Sequence, residues 1–395
     1  MKYAIVLPDG AADEPVEELE GRTPLQAGQT PNMDWIASHG RQGCVVTVPS
    51  GYAPGSDVVT LSLLGYDPRV DYTGRAPLEA AARGIAAQPD ELIFRCNFVT
   101  IVDEVMTDFT AGHISQPEAD RLIDDLNRGL GGEGCRFFAG VGYRNLMIAA
   151  EASEMDLQCT PPHDIPDRPV ADHWPRGPGS VRIRAVMQKA GRLLVEHEVN
   201  LVRRDLGENP ATDIWLWGQG RAKALEAFAA RFGVRAAAIA AVDLIRGIAR
   251  TVGMDVLEVA GATGYLDTNY AAKGAAATEV LGSYDLVVVH IEAPDEAGHL
   301  GDVAAKVAAI ERIDECIVGP LLETLRRWDE WRILIAPDHP TPVGRRVHSG
   351  APPPFCMAGH RISCVVSEPF SEAAAAAGGL RINPGHELME YFLRS

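Results

Sequence analysis

The sequence predicts an α/β fold in which helices cover both faces of a mainly parallel sheet, with a smaller α/β domain inserted into the chain. Strand-like apolar runs alternate with helical patterns near both ends of the 395-residue chain, as expected for a parallel sheet. Three of these runs are followed closely by an aspartate, namely Asp9, Asp295 and Asp338. Because the carboxyl ends of parallel strands meet at one edge, these residues point to a ligand site there.

The N-terminal elements begin with a strand over residues 3–7, all of which are apolar. A helix is expected near 33–39 and a strand at 44–48. The breaker pair Pro54-Gly55 then precedes a short buried helix, because apolar residues continue after Ser56. These elements form the first half of the predicted core.

The C-terminal elements repeat the same alternation. A strand is expected at 286–291, an amphipathic helix at 303–328, and two further strands at 332–336 and 362–366. The helix carries valine and isoleucine at helical spacing, so we expect one of its faces to be buried.

The insertion is predicted from the distribution of candidate metal ligands, none of which lies between about 90 and 230. We place the core in residues 1–88 and 234–395, and an inserted substrate-binding or lid domain in residues 89–233. The second limit falls where the apolar run Val234–Val242 resumes a strand pattern. The length of the chain also suggests two domains.

Histidines accompany two of the three aspartates. His299 lies four residues after Asp295. His339 directly follows Asp338, and His348 lies nine residues further on. Any one of these residues alone could be a turn aspartate, a core histidine or a loop histidine. Carboxylate and imidazole ligands in this number suit two divalent ions better than one, so together they predict a two-metal site.

A serine could complete this site as a nucleophile. Ser56 is placed at the N-terminus of its predicted helix, where free backbone N–H groups favour a phosphate. A serine hydroxyl is a poor nucleophile near neutral pH, but metal coordination can deprotonate it. The alternative for Ser56 is an ordinary helix N-cap.

These residues, in this order, resemble the alkaline phosphatase superfamily and, more closely, the archaeal-type 2,3-bisphosphoglycerate-independent phosphoglycerate mutases. The motifs that carry the resemblance include Leu7-Pro-Asp-Gly10, Pro54-Gly-Ser-Asp57, Gly261-Ala-Thr-Gly264, Asp267-Thr-Asn269 and Pro337-Asp-His339. The resemblance implies an alkaline-phosphatase-like core and a phosphoserine at Ser56. It also implies two divalent ions. The ligands of one ion are Asp9, Ser56, Asp338 and His339, and those of the other are Asp295, His299 and His348. Mn²⁺ or Mg²⁺ is the expected metal, with Zn²⁺ or Co²⁺ as alternatives.

The implied activity is the interconversion of 2- and 3-phosphoglycerate. Two segments depart from the pattern of the mutases, because Leu216-Trp217-Gly-Gln219-Gly220 and Asp108-Phe-Thr-Ala-Gly-His113 stand where relatives tend to carry arginines. A related bacterial subgroup has been proposed to phosphorylate homoserine, so a homoserine kinase-like phosphotransferase is the alternative. The chain has no P-loop motif, which favours the mutase over a kinase. A binding protein with an inactive site is a third reading, but no ligand position is substituted.

Cations are needed to bind a substrate that carries both a carboxylate and a phosphate. Arg75, Arg246 and Lys273 are the candidates beside the family motifs, and His113 is a candidate proton carrier. For each cation, the alternative is a solvated surface charge.

Composition narrows the range of partners. The net charge of −18, from 36 basic and 54 acidic residues, argues against a nucleic acid or an anionic membrane as partner. Seven scattered cysteines without Cys-x-x-Cys spacing predict free thiols in a reducing cytoplasm. No signal-peptide pattern and no apolar stretch of membrane-spanning length are found in the sequence, which gives no indication of an oligomeric state.

Overall fold

The computed structural model describes residues 1–394. The chain divides into two compact units, one formed by Met1–Tyr72 together with the chain from Ala224 onward, and the other by Thr73–Lys223. The sequence placed these limits at 88 and 234. The observed first limit is earlier because the helix at 75–82 packs on strands of the second unit.

The secondary structure elements are as follows. The strands are β1 (Lys2–Pro8), β2 (Arg41–Val45), β3 (Leu92–Val102), β4 (Val105–Asp108), β5 (Cys135–Val141), β6 (Arg144–Ala149), β7 (Asp213–Gly220), β8 (Ala236–Ile239), β9 (Asp255–Leu257), β10 (Leu286–Ile291), β11 (Trp331–Ile335), β12 (Pro354–Gly359) and β13 (Arg381–Ile382). The α-helices are α1 (Pro24–Ala27), α2 (Pro31–His39), α3 (Ser56–Leu63), α4 (Pro68–Asp71), α5 (Arg75–Ala82), α6 (Gln116–Leu130), α7 (Ser180–Val195), α8 (Glu198–Asp205), α9 (Phe228–Phe232), α10 (Asp243–Thr251), α11 (Tyr270–Val280), α12 (Ala293–Leu300), α13 (Val303–Ile313), α14 (Gly319–Leu325), α15 (Glu372–Ala377) and α16 (Glu387–Arg394).

The first unit contains a mainly parallel sheet, which confirms the predicted fold class. The strand order is β13-β2-β12-β11-β1-β10-β8-β9. The central strand β1 pairs in parallel with β10 and β11, and Pro8 lies opposite Ile291. The carboxyl ends of these three strands are therefore level, and the residues that follow them begin at the same edge of the sheet.

The antiparallel strand β12 corrects one sequence prediction. A strand was expected at 362–366, but these residues form no strand and Val365 is 68% exposed. The strand lies instead at Pro354–Gly359, where Phe355 to Met357 are fully buried. The preceding prolines obscured it, although a proline is tolerated at the first position of a strand.

The predicted helix at 303–328 is interrupted by a π-helical turn over Asp314–Val318, between α13 and α14. This turn has a structural cause. The buried Asp314 carboxylate accepts hydrogen bonds from the backbone N–H groups of Asn32 (3.2 Å) and Met33 (2.7 Å). It therefore satisfies free donors at the start of α2, and π-turns are typical where a helix must reposition one side chain.

The second unit contains an antiparallel sheet in the order β4-β3-β6-β5, with β7 also paired to β3. Helices α6 and α7 pack against it through a large apolar cluster that includes Phe94, Phe98 and Leu122. A smaller cluster joins α5 to Ile93 and Ile148. Within the described residues, no helix has the length and apolar character needed to cross a bilayer, and the seven cysteines form no disulfide.

Candidate active site

The turn after β1 brings the ends of β1 and β11 together. Asp9 follows β1 directly and is fully buried, and the backbone N–H of Gly10 donates to Oδ1 of Asp338 (3.1 Å). Gly10 has a φ of +64°, and a Cβ there would lie 2.6 Å from Cα of Asp295. Only glycine fits this turn, because both its backbone conformation and the close approach of Asp295 exclude a side chain.

A first group of ligands surrounds the Ser56 hydroxyl. The Ser56 Oγ lies 3.4 Å from Oδ2 of Asp9 and 3.3 Å from Nε2 of His339. The same nitrogen lies 3.5 Å from Oδ1 of Asp9 and 3.8 Å from Oδ2 of Asp338. Asp9, Asp338 and His339 lie close enough together to hold one metal ion, and all three are buried. The structure thus brings together the four residues that the sequence assigned to one ion.

Ser56 is not the N-cap of α3. It is the first residue of the helix, whereas Gly55, which has no side chain, stands at the N-cap. The Ser56 side chain is therefore free of a capping role and lies beside Asp9 and His339. The next residue, Asp57, accepts a hydrogen bond from the Tyr72 hydroxyl (2.6 Å), which fixes this end of the helix.

Two further candidate ligands, His290 and Glu292, were missed by the sequence analysis. His290 Nε2 lies 3.2 Å from Oδ2 of Asp9, and its Nδ1 lies 3.7 Å from Oε2 of Glu292. Burial lowers the pKa of His290 to about 4 and raises that of Glu292 to about 8. The available signal was a histidine inside an otherwise apolar strand, followed two positions later by a carboxylate.

A second group consists of Asp295, His299 and His348. The two Nε2 atoms are 2.9 Å apart, and each lies 3.3 Å from a carboxylate oxygen of Asp295. Each Nδ1 faces a backbone carbonyl oxygen, that of Arg346 for His299 (3.0 Å) and that of Pro54 for His348 (2.7 Å). Since a carbonyl only accepts, both Nδ1 atoms carry a proton, so the two Nε2 atoms at the centre of the group are the ones that can gain a proton or bind a metal ion.

The Nε2 atoms of His299 and His348 face each other, so they need a proton or another cation between them. The pKa shifts in this second group reflect that need. The hydrogen bond to Asp295 raises the pKa of His299 to about 9. Burial opposes protonation of His348, yet Asp295 raises its pKa too. Although burial alone raises the pKa of Asp295, hydrogen bonds from the two histidines hold it below its ordinary value. A cation is therefore favoured at the centre of this group.

Thr341 connects the two groups. Its hydroxyl donates to Oδ1 of Asp295 and lies 3.2 Å from Nδ1 of His339. Because the single hydroxyl proton goes to the carboxylate, the Thr341 oxygen can only accept from His339. His339 therefore carries its proton on Nδ1 and presents the Nε2 lone pair to Ser56.

A buried ion pair holds the loop that contains Thr341 in place. Lys306 Nζ donates to Oδ2 of Asp13 (2.6 Å), to the carbonyl of Ala12 (3.3 Å) and to the carbonyl of Thr341 (2.8 Å). Lys306 is fully buried, and all three of its N–H donors are used. The pair ties the loop after β1 to the loop after β11.

The donor set fits divalent cations. Several of its buried polar atoms have no hydrogen-bond partner, and they are Asp9 Oδ1, Asp338 Oδ2, Glu292 Oε2 and both ring nitrogens of His290. Burial, together with the neighbouring carboxylates of Asp338 and Glu292, raises the pKa of Asp9 well above its ordinary range. Buried carboxylates in this number require counter-charge, which divalent ions supply.

The four candidate substrate-binding residues lie in different places. In the first unit, Lys273 is fully buried and donates to the carbonyl of His290 (3.2 Å), and burial lowers its pKa to about 8. The surface-charge alternative is therefore wrong for Lys273. Arg246 lies on α10 and pairs with Glu258. In the second unit, Arg75 begins α5 and pairs with Glu79 (3.4 Å), and the ring of His113 packs edge-on against Tyr143.

Comparisons with known proteins agree on one family. The sequence profile of 2,3-bisphosphoglycerate-independent phosphoglycerate mutase matches residues 37–200. Proteins with that name from Methanothrix thermoacetophila and Methanosarcina barkeri are 48% and 45% identical to this chain, and each match covers 100% of both chains. A probable mutase of Geobacter sulfurreducens is 44% identical, again over 100% of both chains.

Solved structures agree with these relatives. The cofactor-independent phosphoglycerate mutase of Thermoplasma acidophilum superimposes with a TM-score of 0.68 at 27% identity, and the match covers 100% of this chain and 99% of that one. A Pyrococcus horikoshii protein gives a TM-score of 0.82 at 32% identity, over 99% and 96% of the two chains. These relatives lend no support to the homoserine kinase alternative. The chain belongs to the 2,3-bisphosphoglycerate-independent phosphoglycerate mutase family.

Proposed function

We propose that this protein interconverts 2- and 3-phosphoglycerate by way of a phosphoserine at Ser56. The observation that carries the proposal is the position of the Ser56 hydroxyl, within 3.4 Å of Oδ2 of Asp9 and 3.3 Å of Nε2 of His339. A hydroxyl beside a buried carboxylate and an imidazole lone pair is placed as an activated nucleophile. The names of the relatives at 45–48% identity supply the substrate.

Two divalent ions belong to this proposal. Asp9, Ser56, Asp338 and His339 hold one, and Asp295, His299 and His348 hold the other. His290 and Glu292 are additional donors beside Asp9. When bound, such ions lower the pKa of a coordinated hydroxyl and stabilise negative charge on a transferring phosphoryl group. Mn²⁺ or Mg²⁺ suits the carboxylate-rich first group, while the two histidines of the second also accept Zn²⁺ or Co²⁺.

The transfer takes place in two half-reactions. The Ser56 oxygen forms a bond to phosphorus while the bond from phosphorus to the glycerate oxygen breaks, and the serine proton passes to that oxygen. The second half runs in reverse on the neighbouring hydroxyl, so phosphate returns to the other position and Ser56 regains its proton. His339 Nε2 faces the Ser56 oxygen because Thr341 fixes the opposite ring nitrogen, and in this proposal both atoms would bind the same ion.

Substrate binding is assigned to Arg75, His113, Arg246 and Lys273. Lys273 lies close to the candidate metal ligands through its bond to the His290 carbonyl, and the neighbouring Glu292 raises its pKa against the effect of burial. Both terminal nitrogens of Arg246 donate to the Glu258 carboxylate, so a substrate anion would have to replace Glu258 as their partner. The substrate-binding or lid role of the second unit belongs to the same proposal.

The test is direct conversion of 3-phosphoglycerate to 2-phosphoglycerate. Phosphorus NMR monitors this conversion with Mn²⁺ present and 2,3-bisphosphoglycerate absent. Wild type is expected to reach the equilibrium mixture, and phosphopeptide mapping of quenched protein is expected to find phosphate on Ser56. The matched control is Ser62→Ala, which removes a buried serine hydroxyl from the same helix. Failure of fully metal-loaded wild type to interconvert the two substrates would refute the proposal.

A further inference from the structure

The second unit contains a cavity of about 590 Å³ that neither the metal-ligand groups nor the proposed transfer uses. All of its lining residues belong to this unit. Helix α7 contributes Gly191 and Val195, and the turn that follows Pro169 contributes Val170 and Trp174. Sites for small molecules in proteins have volumes of about 300–1,000 Å³, so a small organic molecule fits this cavity.

The apolar part of the cavity is held in place by the core of the unit. Val170 is only 4% exposed, and its backbone N–H donates to the carbonyl of Glu104 (2.8 Å). The ring of Trp174 lies 5.6 Å from that of Trp215, which is fully buried. These contacts fix the tryptophan ring that lines the cavity, so an apolar and aromatic surface is already formed there.

Asp213 places a carboxylate in the same cavity. It is the first residue of β7 and is half-buried, and burial raises its pKa. A Cβ at Gly191 would lie 2.4 Å from its Oδ1, so the carboxylate lies against the backbone of α7 where only a glycine leaves room. Its side-chain hydrogen-bond partner is the neutral Thr212, and none of the described cations pairs with it. A half-buried carboxylate of this kind favours a cationic partner.

The charged residues around the cavity have the same preference. The lining contains the carboxylates of Glu104, Glu196 and Asp213, against the single guanidinium of Arg192. The face of a tryptophan ring also attracts a cation, because the ring carries negative charge on its faces. The cavity therefore combines an apolar wall, an aromatic ring and an excess of negative charge.

We propose that this cavity binds a small organic cation, whose ammonium group pairs with Asp213 and whose apolar body packs against Val170 and Trp174. An apolar molecule without charge would leave the Asp213 carboxylate unpaired, and an anion would be repelled by the excess of carboxylates. The inference does not depend on the proposed function. It concerns a second ligand of the protein, different in charge from phosphoglycerate.

The experiment measures binding of three probes to the full-length protein by calorimetry. Phenethylamine, phenethyl alcohol and hydrocinnamate share a phenyl ring on a short alkyl chain, and they end in a cation, a neutral group and an anion. We expect phenethylamine to bind at least about 10-fold more tightly than the alcohol, since its hydrogen bond to a carboxylate is charge-assisted. Hydrocinnamate is expected to show no binding.

Variants of the carboxylate locate the site. Asp213→Asn is expected to weaken phenethylamine binding at least about 10-fold and to leave the alcohol unchanged. The fold should tolerate this change, because the amide has the shape of the carboxylate and carries no charge to desolvate. Asp124→Asn is the matched control, since it removes an exposed carboxylate from α6 outside the cavity. It is expected to leave phenethylamine affinity within about twofold of wild type.

Two further variants test the remaining walls. Trp174→Leu is expected to weaken both phenethylamine and phenethyl alcohol, because both lose the aromatic contact. Arg192→Gln removes the only cation of the lining and is expected to tighten phenethylamine binding by about two- to threefold. A loss of fold could not produce that gain.

Three results would each overturn the inference. They are no measurable binding of phenethylamine to wild type up to about 10 mM, equal affinity for the amine and the alcohol, and equal binding by Asp213→Asn and Asp124→Asn. The second result would indicate an apolar cavity without charge selectivity. Ser56→Ala is expected to bind phenethylamine as wild type does, so the outcome is separate from that of the mutase assay.

Discussion

The hydroxyl of Thr341 offers the sharpest test of how the two ligand groups are connected. Thr341→Val removes this hydroxyl and keeps the shape of the side chain. Two contacts are lost, the bond donated to Asp295 and the one accepted from Nδ1 of His339. Thr341 is fully buried, so water does not replace them.

The magnitude follows from the charge of these partners. A hydrogen bond to a charged group contributes about 1.5–3 kcal/mol, and an unsatisfied buried N–H costs about 1–3 kcal/mol. We expect Thr341→Val to lose about 2–4 kcal/mol of unfolding free energy in the metal-free protein. Partners that orient metal ligands typically change metal affinity 10–100-fold, so we expect Mn²⁺ binding to weaken by about that factor.

The assay is titration of metal-free protein with Mn²⁺, together with urea denaturation and measured interconversion of the phosphoglycerates. Thr60→Val is the matched control, because Thr60 is equally buried and its hydroxyl has no hydrogen-bond partner. Thr60→Val is expected to keep wild-type metal affinity, and Thr341→Ser to retain most of it. If Thr341→Val binds Mn²⁺ within about threefold of wild type, about 0.7 kcal/mol, Thr341 does not orient the ligands.

Three other predictions concern the same site. Ser56→Ala should abolish interconversion while changing unfolding free energy by less than about 1 kcal/mol, since no cap bond is lost; turnover above a trace level would remove the covalent mechanism. Saturation with Mn²⁺ should give two ions per chain by elemental analysis, and His299→Ala should reduce this to one; a wild-type value near one contradicts the assignment. The Asp295 hydrogen bond raises the pKa of His299 to about 9, so a proton competes with metal below that pH and Mn²⁺ affinity should rise between about pH 6.5 and 9; affinity that is flat or falls over this range counts against His299 as a ligand.

The linkage of this raised pKa to stability has a definite sign. Because the folded-state pKa of His299 lies above its ordinary value, the protonated form stabilises the metal-free fold. That contribution is fully present below about pH 6.5 and is lost as pH rises through about 9. Metal-free protein should therefore lose stability over the pH window in which metal binding improves.

The sequence identified the candidate ligands that follow a strand end, because strand ends can be located from apolar runs. Asp9, Asp295 and Asp338 were found in this way, and the structure brings them to one edge of the first unit's sheet. His290 escaped because an alternating or apolar pattern does not reveal one buried imidazole within a strand. Glu292 was missed because a carboxylate next to an aspartate motif is equally typical of a turn.

Thr341 and Lys306 could not have been found without the fold. Thr341 acts through two partners from different loops, and nothing in the sequence indicates that its hydroxyl meets both. Lys306 stands in an alanine-rich helix, where a lysine ordinarily reaches solvent. Its burial follows only from the loop carbonyls that receive its three protons.

Charge distribution explains why bulk composition was a weak guide to the substrate. The net charge of −18 suggests repulsion of an anion, but a total does not show where the charges lie. In the first unit, buried carboxylates such as Asp9 and Asp338 create a demand for divalent cations. Divalent cations at these carboxylates would give an acidic chain a local positive site for an anionic substrate.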